Sequence, residues 1–284
     1  MTTIHDREEY IEQAYFFRVL RERLQENMPT QEILERIHEE ILSTTRLPWA
    51  IQFLATELKH SGLLSSGFAR LEHYFTPFQS FIVQQSEVDN LRFSLPTALL
   101  ILQREAEYRA ATPTPAGLFV YQFEVLSRNR LGYDLGFQAM ARDPFFDADW
   151  RDYIDWVRRQ VGIVDFADLV YYRSDLYVLE QRRKNATYHP PLPVLFGEKE
   201  GKIAKANRRR DPLFLFAALQ RQLGYPEVPR PKPPDDTHAK LEELRAKIRE
   251  LETRLKLVEG EVRGQLDLSE LAKPELLKDW PEDD

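Results

Sequence analysis

The chain has 284 residues, with 39 Lys+Arg against 46 Asp+Glu and no Cys. A hydrophobic share of 43% excludes a wholly disordered chain. The missing Cys excludes disulfides, thiolate metal sites and a Cys nucleophile. The longest apolar runs, such as Ala98–Leu102, fall far short of the ~18 residues of a spanning helix. Met1–Tyr10 carries charges where a signal peptide needs an apolar stretch. The expectation is a mildly acidic cytoplasmic protein with no membrane span.

The first third reads as helices. Asp6 followed by Glu9 has capping-box spacing. Behind it run the stripes Ile11, Ala14, Tyr15, Arg18 and Phe17, Leu20, Leu24. Pro29-Thr30 separates this helix from a second one, whose apolar residues Ile33, Leu34, Ile37, Ile41 and Leu42 keep helical spacing. Leu47–Glu57 then matches Leu95–Glu105 at an offset of 48, with Leu, Pro, Ala, Leu and Glu coinciding. In both copies Pro sits in the first turn, where its missing N–H costs little. Continuing the offset pairs Ser66 with Thr114, Leu71 with Phe119 and Phe75 with Phe123. Each copy is therefore expected to be an α-hairpin, and hairpins of this kind stack to bury their apolar faces.

Residues 119–177 hold 14 aromatic side chains, the density of an aromatic core. Asp149 is placed to cap a helix from Trp150 to Val161, with Gly162 following it. From Leu169 to Ala206 the Tyr- and Val-rich runs Leu169–Arg173 and Leu176–Leu179 suggest a small β element. Pro193–Phe196 and Lys202–Ala206 flank the hairpin-like loop Gly197–Gly201. Asp211-Pro212 opens a short helix that Gly224 stops.

Residues 225–236 contain five prolines and read as an extended linker. Beyond it, Leu241, Leu244, Ile248, Leu251, Leu255, Val258 and Val262 alternate steps of three and four, the seam of a coiled coil. The fold expectation is mainly α, a helical-repeat-like body of α-hairpins with a small β element and a C-terminal coiled-coil helix. Its divisions are an N-terminal helical domain at 1–118, an aromatic-rich and basic domain at 119–224, the linker at 225–236, the coiled coil at 237–264 and an acidic tail at 265–284.

Three constellations bear on function. Glu35-Arg36-Ile37-His38 and Glu57-Leu58-Lys59-His60 are both Glu-x-x-His, the spacing of a di-metal carboxylate site in a helical bundle. Taking Ile51, Leu54, Ala55 and Leu58 as the buried stripe, Glu57 lies ~120° and His60 ~180° away at ~100° per residue. Both are expected to face solvent, so no metal ligand, catalytic residue or cofactor is assigned. The acidic cluster around Asp147 and Asp149 reads as helix capping. Residues 181–210 carry nine basic side chains against two acidic ones. Arg182, Arg183, Lys184, Arg208, Arg209 and Arg210 form the expected basic patch for an acidic partner. The functional expectation is a non-enzymatic scaffold or interaction protein that oligomerises, or binds another protein, through its coiled coil. Nucleic-acid binding by 181–210 and a di-metal enzyme are the alternatives.

Overall fold

The structure, a computed structural model, describes residues 5–88, 93–230 and 237–262. It is mainly helical, with fourteen helices among the described residues. Contacts divide the chain into Met1–Pro231 and Lys232–Asp284.

In the first unit, α1 (Arg7–Gln25) begins where Asp6 accepts the Glu9 N–H at 3.1 Å, the expected cap. It lies along α6 (Leu95–Ala110), reached through α2 (Thr30–Ile37), α3 (Leu47–Ser61), α4 (Leu64–Arg70) and α5 (Pro77–Ser86). Each of α2 to α6 packs on its predecessor, α2 on α1 included. Phe16, Phe17 and Leu20 of α1 are fully buried, whereas Ile11 and Leu42 stand in solvent. Then come α7 (Pro115–Arg128), α8 (Tyr133–Ala141) and α9 (Ala148–Gln160), packed in that order, with α8 also against α5. Asp147 caps α9, two residues before the expected Asp149, and the α9 exit passes through Gly162 at φ +87°.

The aromatic block is the centre of the core. Phe119 lies within 5.3–6.4 Å of Phe123, Trp150, Tyr153, Phe166 and Phe196, ring centre to ring centre. Such offset and edge-on pairs add to the burial of the rings themselves.

The matching segments Leu47–Glu57 and Leu95–Glu105 are both helical, and Ala50/Ala98, Ile51/Leu99, Leu54/Leu102 and Glu57/Glu105 are all buried. The correspondence ends there. Ser66 lies inside the seven-residue α4, whereas Thr114 caps the fourteen-residue α7. The expected second hairpin is not seen: α4 packs closely on α3, whereas α7 does not pack along α6 in the same way.

The expected β element is replaced by helices α10 (Phe166–Tyr172), α11 (Asp175–Lys184) and α12 (Glu198–Ala206). Asp165 caps α10 and Ser174 caps α11, so the Tyr- and Val-rich runs start as helices. Helix α12 runs through the supposed hairpin loop, with Gly201 inside it. A Cβ there would stand 2.4 Å from Ser174 Oγ and 2.8 Å from Leu176 Cβ. This glycine serves the close approach of α12 to α11, not a turn. Strand-like pairing is limited, among the described residues, to isolated bridges at Val161/Val164 and Ser174/Phe196.

Helix α13 (Pro212–Leu223) begins at Asp211 and stops at Gly224 as expected. Position 118/119 lies within α7, whose Leu118 and Phe119 are both fully buried in one core cluster. The start of the proline-rich linker is held against the body: Tyr225 and Val228 are buried, Tyr225 donates to Glu124 at 2.7 Å, and Asn129 donates to the Pro229 carbonyl at 3.2 Å. Pro231, Pro233, Pro234, Gly264 and the tail 265–284 lie outside the described residues.

The second unit carries α14 (Thr237–Val262), 26 residues long. No helix among the described residues is long and apolar enough to cross a membrane.

Candidate interaction sites

On α14 the side chains of Leu244, Ile248, Leu251, Leu255 and Val258 are 57, 53, 62, 60 and 53% exposed. Those of Leu241 and Val262 lie outside the described residues. The flanks are charged, and Arg254 pairs with Glu250 one turn away at 2.7 Å. The result is a continuous apolar stripe on a solvated helix.

The basic segment is partly neutralised from within. Lys202 pairs with Glu198 at 2.6 Å, Lys205 with Glu180 at 2.8 Å and Arg208 with Asp168 at 2.6 Å. The two triplets are joined by tyrosines. Arg208 stacks over Tyr171 at 3.9 Å, Tyr172 meets Tyr177 at 5.3 Å, and Tyr177 meets Tyr188 at 6.4 Å. Arg182 closes the chain by donating to the Tyr188 carbonyl at 3.3 Å. The Tyr171 hydroxyl donates to Glu180 at 2.6 Å, and burial with that carboxylate pushes its pKa up to about 12. Arg183, Lys184, Arg209 and Arg210 make no ion pair among the described residues. Arg209 adopts φ +57°, its backbone N–H held by Asp165 at 2.7 Å.

The two Glu-x-x-His motifs come partly together. Glu35, His38 and His60 line one cleft of about 490 Å³ between α2 and α3, with Gln31, Thr56 and Lys59. His60 faces solvent as expected, but Glu57 does not: it is buried, turned toward α4. The single-stripe estimate fails because α3 is covered by α2 on one flank and α4 on the other. The Ser66 hydroxyl donates to Glu57 at 2.8 Å, and Arg70 pairs with it. These contacts, the Ser66 bond first, hold its carboxyl below the usual range. Its oxygens are thus committed to Ser66 and Arg70 of α4. Among the described residues no group of three or more His, Asp or Glu is disposed to hold a metal ion.

A buried ionic cluster went unread in the sequence. Arg109 is enclosed between Glu105 one turn back on α6 and Asp143 after α8; Glu105 accepts from its Nη2 at 2.7 Å and from its Nε at 2.8 Å. Gln122 of α7 donates to Glu105 at 3.3 Å. Burial, outweighing the attraction of Arg109, raises the Glu105 pKa. With one cation for two carboxylates and every partner inside the core, the cluster locks α6, α7 and α8 together. The only sequence signal for it is the i, i+4 spacing of Glu105 and Arg109.

Lastly, a cavity of about 370 Å³ opens beside α10, walled by Phe123, Tyr133, Val164, Phe166, Leu169 and Phe216. Compared with protein-family models, curated proteins and solved structures, the chain matches none.

Proposed function

We propose that this protein is a non-enzymatic cytoplasmic scaffold that assembles through α14, either with itself or with a helix of another protein. One observation carries the reading: five seam residues at coiled-coil spacing stand more than half exposed along a 26-residue helix. An isolated helix of that length is marginal in water. Covering each large apolar side chain contributes roughly 1.5–3 kcal/mol. A partner helix presenting the same spacing answers both needs. The charged flanks keep the rest of the helix soluble and set which partner fits.

The test compares the full chain with a chain ending at Asp236, by sedimentation and by capture of binding proteins. The full chain is expected to sediment as an oligomer, or to retain a partner that the shorter chain loses. Monomers in both cases, with the same captured proteins, would contradict the proposal.

A further inference from the structure

The charged flanks of α14 bear on which helix it meets; the inference rests on the assembly proposed above. The seam fixes the heptad register. Leu241, Ile248, Leu255 and Val262 take the a positions, and Leu244, Leu251 and Val258 take the d positions. The sequence then puts Arg245, Glu252 and Glu259 at e, and Lys240, Lys247, Arg254 and Glu261 at g. Both signs occur in both sets. A helix built for a different protein excludes its own copy by like charges at e and g. No such bar is written into α14. The side chains of Arg245, Lys247, Glu252 and Arg254 are all exposed.

A second copy can lie along α14 in two directions. Parallel and in register, each g position faces the e position five residues on in the other copy. Lys247 then meets Glu252, and position 254, an Arg, faces position 259, a Glu. Two-fold symmetry doubles both attractions. The one clash is between positions 240 and 245, both basic, at the N-terminal end, where helices fray. Reversed, with a opposite d, g faces g and e faces e. That alignment gains Arg245 against Glu252 and attractive pairs at its ends, but it sets Lys247 against Arg254 twice near the middle, where no fraying relieves them. The middle of the seam agrees with the first alignment. Ile248 at a, between Leu244 and Leu251 at d, is the combination that favours two parallel strands. A slip of one heptad would uncover seam residues at both ends.

We infer that the partner of α14 is a second copy of this chain, the two helices parallel and in register. The seam supplies the buried area, and the Lys247–Glu252 contacts on either side of it set direction and register.

The experiment measures self-association of the full chain by sedimentation equilibrium. Lys247→Glu puts two carboxylates against Glu252 in the parallel pair and should weaken association roughly tenfold. In the reversed pair the same change removes the clash with Arg254 and should strengthen it. Glu252→Lys should also weaken association. An equimolar mixture of the two variants should regain the wild-type affinity, because each clash becomes an attraction; simple loss of helix would not be rescued. The chain has no Cys, so a single Leu244→Cys reports direction. Parallel helices bring the two sulfurs into one layer. Reversed helices hold them about 16 Å apart along the axis, at ~1.5 Å per residue, beyond the ~7 Å between Cα atoms that a disulfide spans. Oxidation of Leu244→Cys alone is expected to give a covalent dimer. Stronger association of Lys247→Glu, no rescue in the mixture, or a covalent dimer that forms only between Leu244→Cys and Leu255→Cys chains would overturn the inference. A full chain that stays monomeric yet captures another protein through α14 would also overturn it while leaving the assembly reading intact; a monomer that captures nothing would remove both.

Discussion

Leu54 of α3 and Leu251 of α14 sit in sequence patterns that look alike, each with apolar neighbours three or four residues away on one face of a helix. Leu54 is fully buried and Leu251 is 62% exposed. In the body the pattern is satisfied at once, because α2 and α4 flank α3 and the core cluster runs continuously from Ala14 to Val228. On α14 the same pattern is left facing water. Amphipathic periodicity is thus a demand for a neighbour, and which neighbour meets it depends on what else the chain can bring to that face. Stability is thus ascribed to the body and the proposed association to α14, and substitutions can separate the two.

The largest effect is expected at Arg109. Replacing it by Ala leaves Glu105 and Asp143 buried without a cation, a loss of about 3–5 kcal/mol. Chemical denaturation of the full chain should show the midpoint falling accordingly. A loss under about 1 kcal/mol would mean that the cluster is not closed as described.

Leu54→Ala against Leu251→Ala breaks the comparison most cleanly. The first removes fully packed atoms and should destabilise the body by about 2–5 kcal/mol. The second should leave the body's unfolding transition in place and weaken association instead. Equal shifts of one cooperative transition would show that α14 is part of the body's folding unit.

A smaller effect is expected from pH. Burial raises the Glu105 pKa, so the folded chain holds this proton to higher pH than the unfolded chain does. The favourable contribution is complete below the unfolded carboxyl value of about 4.3 and is lost as pH climbs through the raised folded value. Glu105→Gln cannot lose that proton. Its stability relative to the wild type should rise between pH 4 and 8, read from thermal midpoints at constant ionic strength. A difference flat with pH would contradict the assignment.

The smallest change is expected at Arg254, which pairs with Glu250 on the solvated side of α14. Arg254→Ala should alter stability by only about 0.3–0.5 kcal/mol, and circular dichroism should show α14 still helical.

What could be read from the sequence follows the same division. Local signals were legible: Asp6, Asp211 and Gly224 stand at helix ends as expected, since a cap involves only residues a few positions apart. The aromatic block was legible as core because so many large rings in one stretch have few places to go but inside. Helices α10 and α11 were not, since Tyr and Val in short helices resemble strand composition, and α12 was not, because Gly197 and Gly201 look like the ends of a hairpin loop. Nor was the burial of Glu57, which depends on α4 closing over a second flank of α3. The cavity beside α10 was hidden for a plainer reason. Phe123, Phe166 and Phe216 are distant in sequence and meet only in the folded chain.

The assembly claim is tested most directly by light scattering on the full chain and on its Ile248→Asp, Leu255→Asp double variant, both at tens of micromolar. If α14 self-associates, the wild type should give a multiple of 33.5 kDa and the variant 33.5 kDa, with the same thermal unfolding of the body in both. A monomeric wild type that also captures no helical partner dependent on Ile248 and Leu255, or a variant as oligomeric as the wild type, would contradict the account.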